Sequence, residues 1–170
     1  MRTLKHPGEP EGPRRIGREA AGAGEFRIVL PEGADLLSDA TRILVERGIE
    51  NAAIQLTGGS FSSMQYLTGQ PDDSGERVAT YGAPTSLEGP VQVVGGNAIL
   101  GRDSEGAPLL HCHAVVVDSD GQLHGGHLPG KVCIAGPEGL VLRVTVLSGG
   151  GFRVAYDAET NYSIFQPSEA

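Results

Sequence analysis

The sequence has few aromatic residues and lacks any long apolar run. Aromatic residues make up 5% of the 170 residues, whereas glycine numbers 26 and proline 11. That composition favours many short strands joined by tight turns over a helical bundle. No apolar run approaches the roughly 18 residues that would span a bilayer, and the N-terminus lacks the apolar stretch of a secretory signal. We therefore expect a cytoplasmic protein without a membrane segment.

Cysteine is scarce, and several catalytic motifs are missing. The two cysteines, Cys112 and Cys133, form no CxxC pair, which excludes a zinc ribbon and a thioredoxin-type motif. Both thiols are expected to be reduced, buried core residues. The chain also has no GxSxG nucleophile elbow and no phosphate-binding loop with its lysine. None of these motifs therefore identifies a catalytic residue.

Negative charge is concentrated in the body of the chain. The net charge is −8, and residues 1–24 carry five basic and three acidic residues, a net of +2, which leaves −10 on residues 25–170. An acidic body opposes the neutralisation of phosphates that supplies most non-specific nucleic-acid affinity. Residues 1–24 are rich in Gly, Pro and charge and predict an extended arm. We expect residues 25–170 to form a single domain, and its negative charge disfavours DNA binding.

Periodicity predicts one helix. Asp35 is placed to cap its N-terminus and Gly48 to follow its C-terminus. Five apolar residues between them recur at the spacing of one helix face: Leu36, Leu37, Ala40, Ile43 and Leu44. This is the one helix that the sequence predicts.

Alternating or apolar runs separated by turn sequences predict strands along the rest of the chain. The predicted strands are Glu25–Leu30, Asn51–Leu56, Ser63–Leu67, Val78–Tyr81, Val91–Leu100, Leu109–Asp118, Lys131–Ala135, Leu140–Leu147, Phe152–Asp157 and Tyr162–Phe165. The glycines Gly95-Gly96 inside one run predict a bulge or tight bend. The expected fold class is α+β, with one main helix packed on a curled, mainly antiparallel sheet of seven or more strands.

Three histidines in one predicted hairpin form the candidate site. His111 and His113 share one face of a strand because side chains alternate along it. A three-residue loop at Ser119–Gly121 would place His127 directly opposite His113, and the glycines before His127 would permit a bulge that corrects its aim. His124 is expected to be a solvated side chain near the turn.

Two interpretations of this pattern stay open from spacing alone. Neutral imidazoles that converge on one face need a partner for their lone pairs, and a divalent cation satisfies all three. Three protein ligands would leave a position open for water or substrate. Alternatively, the two histidines of HxH are bonded to the backbone and His127 lies in a loop. A loop shifted by one residue would also send His127 to the other face of the sheet.

The segment HCHAVVVDSDGQLHGGHL resembles the HxH…GGHL signature of the PPC (plant and prokaryote conserved) domain family. RTLKHPG, IENAAIQLTGG, GRDSEGAPLLHCH and ETNYSIFQP also look like bacterial members, so the resemblance covers nearly the whole chain. It implies one helix against an antiparallel sheet, a homotrimer, and a metal held by His111, His113 and His127. The arrangement is also similar to that of acetolactate decarboxylase, a zinc enzyme of related fold.

The sequence departs from these relatives at two points. GPRRIGRE lacks the Arg-Gly-Arg-Pro core of the AT-hook that plant members use to bind DNA. Acetolactate decarboxylase completes its site with a carboxylate and an arginine, but no residue can be placed beside the histidines from sequence. The candidates for those two roles are Glu159, Asp157, Arg102 and Arg153.

Three functions follow as hypotheses. The first is an enzyme, lyase- or hydrolase-like, that uses Zn²⁺ or another divalent metal as a Lewis acid on a small carbonyl or carboxylate substrate. The second is a module that binds a metal or small ligand without turnover, which a missing general acid or base would favour. The third is a DNA-binding regulator, which rests on family analogy and on the basic arm.

Overall fold

The structure, a computed structural model, describes residues 4–10, 12 and 17–169. Of the predicted arm 1–24, residues 1–3, 11 and 13–16 therefore lie outside the described residues. The elements in chain order are β1 Ala21–Leu30, α1 Leu36–Glu46, β2 Ala52–Tyr66, β3 Gly69–Gln70, β4 Thr80–Tyr81, β5 Thr85–Arg102, β6 Pro108–Val117, β7 Leu123–Leu128, β8 Ile134–Ser148, β9 Gly151–Asp157 and β10 Tyr162–Ser168. The described residues form one short helix on a sheet that is mostly strand, which agrees with the predicted α+β class.

The sheet is almost entirely antiparallel. Six strands follow one another in the order β1-β8-β2-β5-β6-β7, and β10 pairs with β9. A single parallel bridge, Arg102 to Arg153, joins β9 to β5, and β3 and β4 form a separate ribbon. Leu67, directly after β2, also bridges to His127 of β7. The sheet therefore bends enough for β7 to approach the end of β2, from which it is separated by β5 and β6.

The helix begins and ends where its capping residues predict. Asp35 accepts a hydrogen bond from the Ser38 amide at 2.9 Å, and Gly48 adopts a left-handed φ of 71° after the last turn. Leu36, Ala40 and Leu44 are buried and belong to the same apolar core as the sheet. The predicted apolar stripe therefore forms the buried face of α1. No helix in the described part of the chain has the length and apolar character needed to span a bilayer.

Two pairs of predicted strands are each one long strand. The predicted break between Leu56 and Ser63 is wrong, because β2 runs through it from Ala52 to Tyr66. A Cβ at Gly59 would collide with the Gly139 carbonyl of β8, so this glycine allows two strands to approach closely. Likewise β8 runs from Ile134 to Ser148 without a break. The predicted bulge is confirmed, since the register between β5 and β6 shifts between Val93 and Gly95.

Candidate metal centre

Strand β6 presents two of the three histidines on one face. His111 is partly buried and His113 exposed, whereas the alternate residues Leu110, Cys112 and Ala114 are buried. The apolar residues face the core because every second side chain of a strand points to the same side. The two histidines therefore project together from the outer face, as their spacing predicts.

A tight turn sets the register that brings the third histidine to that face. The Asp118 amide donates to the Gln122 carbonyl at 3.0 Å, which closes a three-residue loop, and Gly121 adopts φ 78° within it. The Asp118 carboxylate also accepts from the Gln122 amide at 2.8 Å. His127 consequently pairs directly with His113. The predicted loop length and the predicted pairing are both confirmed.

The two glycines before His127 have a different role from the predicted one. The register of β6 with β7 runs without a shift from Cys112↔Leu128 to Val117↔Leu123, so the bulge that these glycines would permit does not form. A Cβ at Gly126 would instead collide with the Leu67 carbonyl oxygen. His127 exchanges two backbone hydrogen bonds with Leu67, at 2.8 and 2.9 Å. The missing side chain thus lets β7 approach the residue that follows β2.

The three imidazoles converge. One ligand nitrogen from each of His111, His113 and His127 can be chosen so that all three lie within 4.8 Å of one another. The ring centroids are 4.6 Å apart for His111 and His127, 4.8 Å for His111 and His113, and 5.5 Å for His113 and His127. The three histidines are therefore close enough to hold one metal ion.

The electrostatics of the cluster favour neutral rings. Burial, together with the neighbouring His111 and His113, lowers the pKa of His127 to about 4. The pKa of His111 is also lowered, first by burial and then by His113. The buried Nδ1 of His127 has no hydrogen-bond partner among the described residues. Neutral imidazoles with an unpaired ring nitrogen are suited to coordinate a cation.

Two aromatic side chains that sequence analysis did not connect with the site contact these histidines. Tyr81 of β4 stacks on His127, with ring centroids 5.1 Å apart and an interplanar angle of 18°. Phe165 of β10 meets His111 edge-on at 5.9 Å. Both residues belong to predicted strands, but nothing in the local sequence signals their long-range contact with the hairpin.

The carboxylate and arginine candidates have partners elsewhere. Arg102 contacts Glu50 at 2.7 Å and donates to the Gly106 carbonyl. Arg153 donates to the Ser104 carbonyl at 3.0 Å. Neither carboxylate candidate, Asp157 nor Glu159, belongs to the histidine cluster within the described residues.

The two acidic candidates are held near the turn between β9 and β10. Asp157 accepts a hydrogen bond from Thr160. Glu159 is 8% exposed and contacts the His6 ring at 2.6 Å. His6 lies in the N-terminal arm, so this contact holds part of the arm against the domain.

His124 is not the solvated side chain that the sequence predicted. Its Nε2 lies 2.7 Å from the Asp118 carboxylate, and its Nδ1 lies 3.2 Å from the Tyr66 hydroxyl. It pairs with Val116, a fully buried residue, on the face opposite His127. His124 therefore stabilises the hairpin and does not join the cluster.

A cleft of about 940 Å³ opens beside His113 and His127. Its walls come from the segment after β2, the β3–β4 ribbon, β5, β6, β7 and the start of β10. Its volume is within the range of small-molecule sites. The histidine cluster therefore borders a space that can admit a ligand.

A family model described as the Plants and Prokaryotes Conserved (PCC) domain matches residues 17–145. No curated protein matches the chain. Among solved structures, a metal-containing protein from Archaeoglobus fulgidus is 24% identical, with a TM-score of 0.72 and 89% of this chain and 99% of that chain covered.

Two further solved structures have the same fold. A plant- and prokaryote-conserved (PPC) protein from Pyrococcus horikoshii is 17% identical, with a TM-score of 0.71 and with 92% of this chain and 100% of that chain covered. A putative DNA-binding protein from Ralstonia eutropha is 19% identical, with a TM-score of 0.65 and with 82% of this chain and 89% of that chain covered. With its HxH and GGHL motifs on one hairpin and the family match over most of its length, the chain belongs to the Plants and Prokaryotes Conserved domain family.

Proposed function

We propose that this domain binds one divalent cation, zinc fitting best, through His111, His113 and His127. The observation that carries the proposal is the convergence of three ligand nitrogens within 4.8 Å of one another, and the Nδ1 of His127 is in addition buried without a hydrogen-bond partner among the described residues. The A. fulgidus relative described as metal-containing supports it. A cation would satisfy the lone pairs that the surrounding protein leaves unpaired.

The donor set favours zinc among the common divalent metals. Imidazole suits zinc, copper, iron and nickel, whereas calcium and magnesium prefer oxygen ligands. With Zn–N bonds of about 2.0–2.1 Å in a tetrahedral site, the ligand nitrogens lie roughly 3.3–3.4 Å apart, closer than the 4.8 Å within which the three nitrogens lie here. Small rotations of the rings would therefore complete the site. Three protein ligands leave a coordination position for an exogenous oxygen atom.

The proposed activity is Lewis-acid chemistry on a small carbonyl or carboxylate compound. The metal would polarise the bound oxygen or activate a water molecule. The protein contributes the neutral ligands His111 on β6 and His127 on β7, and Tyr81 restrains His127 by stacking on it. The third ligand, His113, is exposed at the cleft. Among the described residues, no carboxylate lines the cleft to serve as general base. That observation favours binding without turnover as the second candidate function.

Metal content and ligand response test the proposal together. Protein purified without chelators is expected to contain close to one zinc or similar ion per chain. After replacement by cobalt, small carboxylates should change the visible spectrum, because an open position can accept their oxygen. A protein that neither retains nor takes up a divalent ion would refute the metal centre. A cobalt spectrum unaffected by every carboxylate and keto acid would refute the open position.

We also propose a homotrimer, following the family resemblance. Within the described residues, edge strand β1 pairs with β8 alone and β10 with β9 alone. Free edges of this kind require cover, and subunit contacts are one means to provide it. Light scattering at micromolar concentration is expected to give three times the 17.7 kDa chain mass. A monomer mass throughout that range would contradict the proposal.

DNA binding is expected to be weak, despite the description of the R. eutropha relative. The net charge of −10 on residues 25–170 opposes contact with phosphates. At physiological salt, the Kd for duplex DNA should be no lower than about 10⁻⁴ M, the weak limit of non-specific binding. Removal of residues 1–20, which carry all five basic residues of the arm and end before β1, should abolish any residual binding. Sequence-specific binding by the shortened chain would favour the regulator hypothesis instead.

A further inference from the structure

The cleft beside the histidines is predominantly apolar. Beyond the metal-binding rings, its lining includes Leu67, Val78, Val94, Val115 and Ile164. The polar side chains in the lining are uncharged: threonines, tyrosines and Asn97. Among the described residues, no Asp, Glu, Lys or Arg lines it. The histidines, with any metal they hold, are thus the one place in this lining that can match a ligand charge.

Exposed apolar surface is concentrated at this cleft. Among the described residues ten large hydrophobic side chains are exposed, and four of them line the cleft: Tyr81, Val94, Val115 and Ile164. Val94 is 59% and Val115 46% exposed. Contiguous exposed apolar groups of this kind mark surfaces that bind apolar partners. The cleft therefore offers an apolar wall that begins at the metal ligands.

Arg102 and Arg153, two arginines of the sheet, do not supply a second charge to the cleft. Arg102 contacts Glu50 and Arg153 contacts the Ser104 carbonyl, and neither belongs to the cleft lining. A second carboxylate or a phosphate on the ligand would lose water there without gaining a cationic partner. A tail of methylene or aryl groups would instead replace water against valine, leucine and isoleucine.

We propose that the site selects small monoanions with one oxygen-bearing head group at the metal and an apolar tail along the cleft. Linear or aryl monocarboxylates are the chemical class. This specificity rests on the proposed metal function and adds to it the substrate or ligand class. Dicarboxylates and phosphorylated compounds of similar length are excluded as preferred ligands because they place a second charge against the apolar wall.

The test uses the zinc-loaded full-length protein and calorimetric titration with acetate, butyrate, hexanoate and adipate. Each added methylene is expected to tighten binding by about two- to fourfold, up to the full value for a buried CH₂. Adipate, which matches hexanoate in length, should bind at least about tenfold more weakly than hexanoate. Affinity that is independent of tail length, or equal for the two six-carbon acids, would overturn the inference.

Two valines on strands provide a matched pair of variants. Val115→Ala should reduce the increase in binding affinity from acetate to hexanoate, because Val115 lines the cleft. Val29→Ala should leave that gain unchanged, because Val29 is similarly exposed at 55% but lies on β1, outside the lining. Val115→Arg should raise the affinity for adipate relative to hexanoate by supplying the missing cation. Equal effects of Val115→Ala and Val29→Ala would overturn the inference.

The outcomes separate this inference from the function on which it rests. Absence of zinc uptake would refute the metal centre itself. Normal zinc uptake, with a carboxylate affinity that does not depend on tail length, would refute the proposed ligand class and leave the metal centre standing. If Val115→Arg instead dissociates an oligomer, and the tail dependence is absent in the wild type, the apolar wall is a contact between copies of the chain and the ligand assignment is wrong.

Discussion

His127→Ala is expected to lower zinc affinity by at least about 100-fold, because even the outer hydrogen-bond partners of metal ligands contribute about 10–100-fold. His127 is the ligand from β7, and two ligands from β6 alone would leave the ion held from one strand. Competition with a chromophoric zinc chelator measures the affinity. Circular dichroism establishes that the variant is folded.

The matched control is His124→Ala on the same strand. His124 pairs with the core-facing Val116 and contacts Asp118 and Tyr66, so its loss should cost about 1 kcal/mol of unfolding free energy for the hydrogen bonds. Zinc affinity should stay within about twofold of the wild type. Equal losses of affinity in the two variants would show that the hairpin's integrity, and not coordination by His127, determines metal binding.

Gly126→Ala is expected to destabilise the fold by about 1–3 kcal/mol, the usual cost of forcing an extra group into a packed site. The new Cβ would meet the Leu67 carbonyl oxygen well inside the 3.0 Å that real Cβ atoms keep. Relief requires β7 to move away from Leu67, which strains the two backbone hydrogen bonds of His127. Zinc affinity should fall together with stability. Urea unfolding and chelator competition measure the two quantities.

Gly58→Ala provides the control for a glycine inside a strand. A Cβ at Gly58 meets no heavy atom within 4 Å, and alanine restricts the unfolded chain. Its unfolding free energy should therefore be unchanged or higher by up to about 1 kcal/mol. If Gly126→Ala is as stable as Gly58→Ala and binds zinc normally, β7 does not need its close approach to Leu67.

The sequence was sufficient to predict the hairpin and its three histidines because each step depends on local rules. Alternation places His111 and His113 on one face. The loop Ser119–Gly121 fixes which residue faces which, and the observed pairing of His113 with His127 follows. The helix was predictable for the same reason, since its caps and apolar stripe are local.

Features that depend on distant backbone were not predictable. Glycines in a run indicate a turn, a bulge or a close approach, and the local sequence does not distinguish these. At Gly59 and Gly126 the deciding neighbours are Gly139 and Leu67, both distant along the chain. The stacking of Tyr81 on His127 likewise depends on how the ribbon after β2 folds back. The cleft and its apolar wall therefore emerged only with the tertiary structure.

Cys112 lies on the core face of β6, and this position has a consequence for its oxidation. This thiol lies between two of the proposed ligands in sequence, yet it is 1% exposed and burial raises its pKa to about 12. Burial also raises the pKa of Cys133, to about 11. Thiolates are the forms that oxidants attack, so neither sulfur offers one at neutral pH. A centre built from imidazoles, with its nearest thiol turned into the core, would keep the same ligands in reducing and oxidising surroundings.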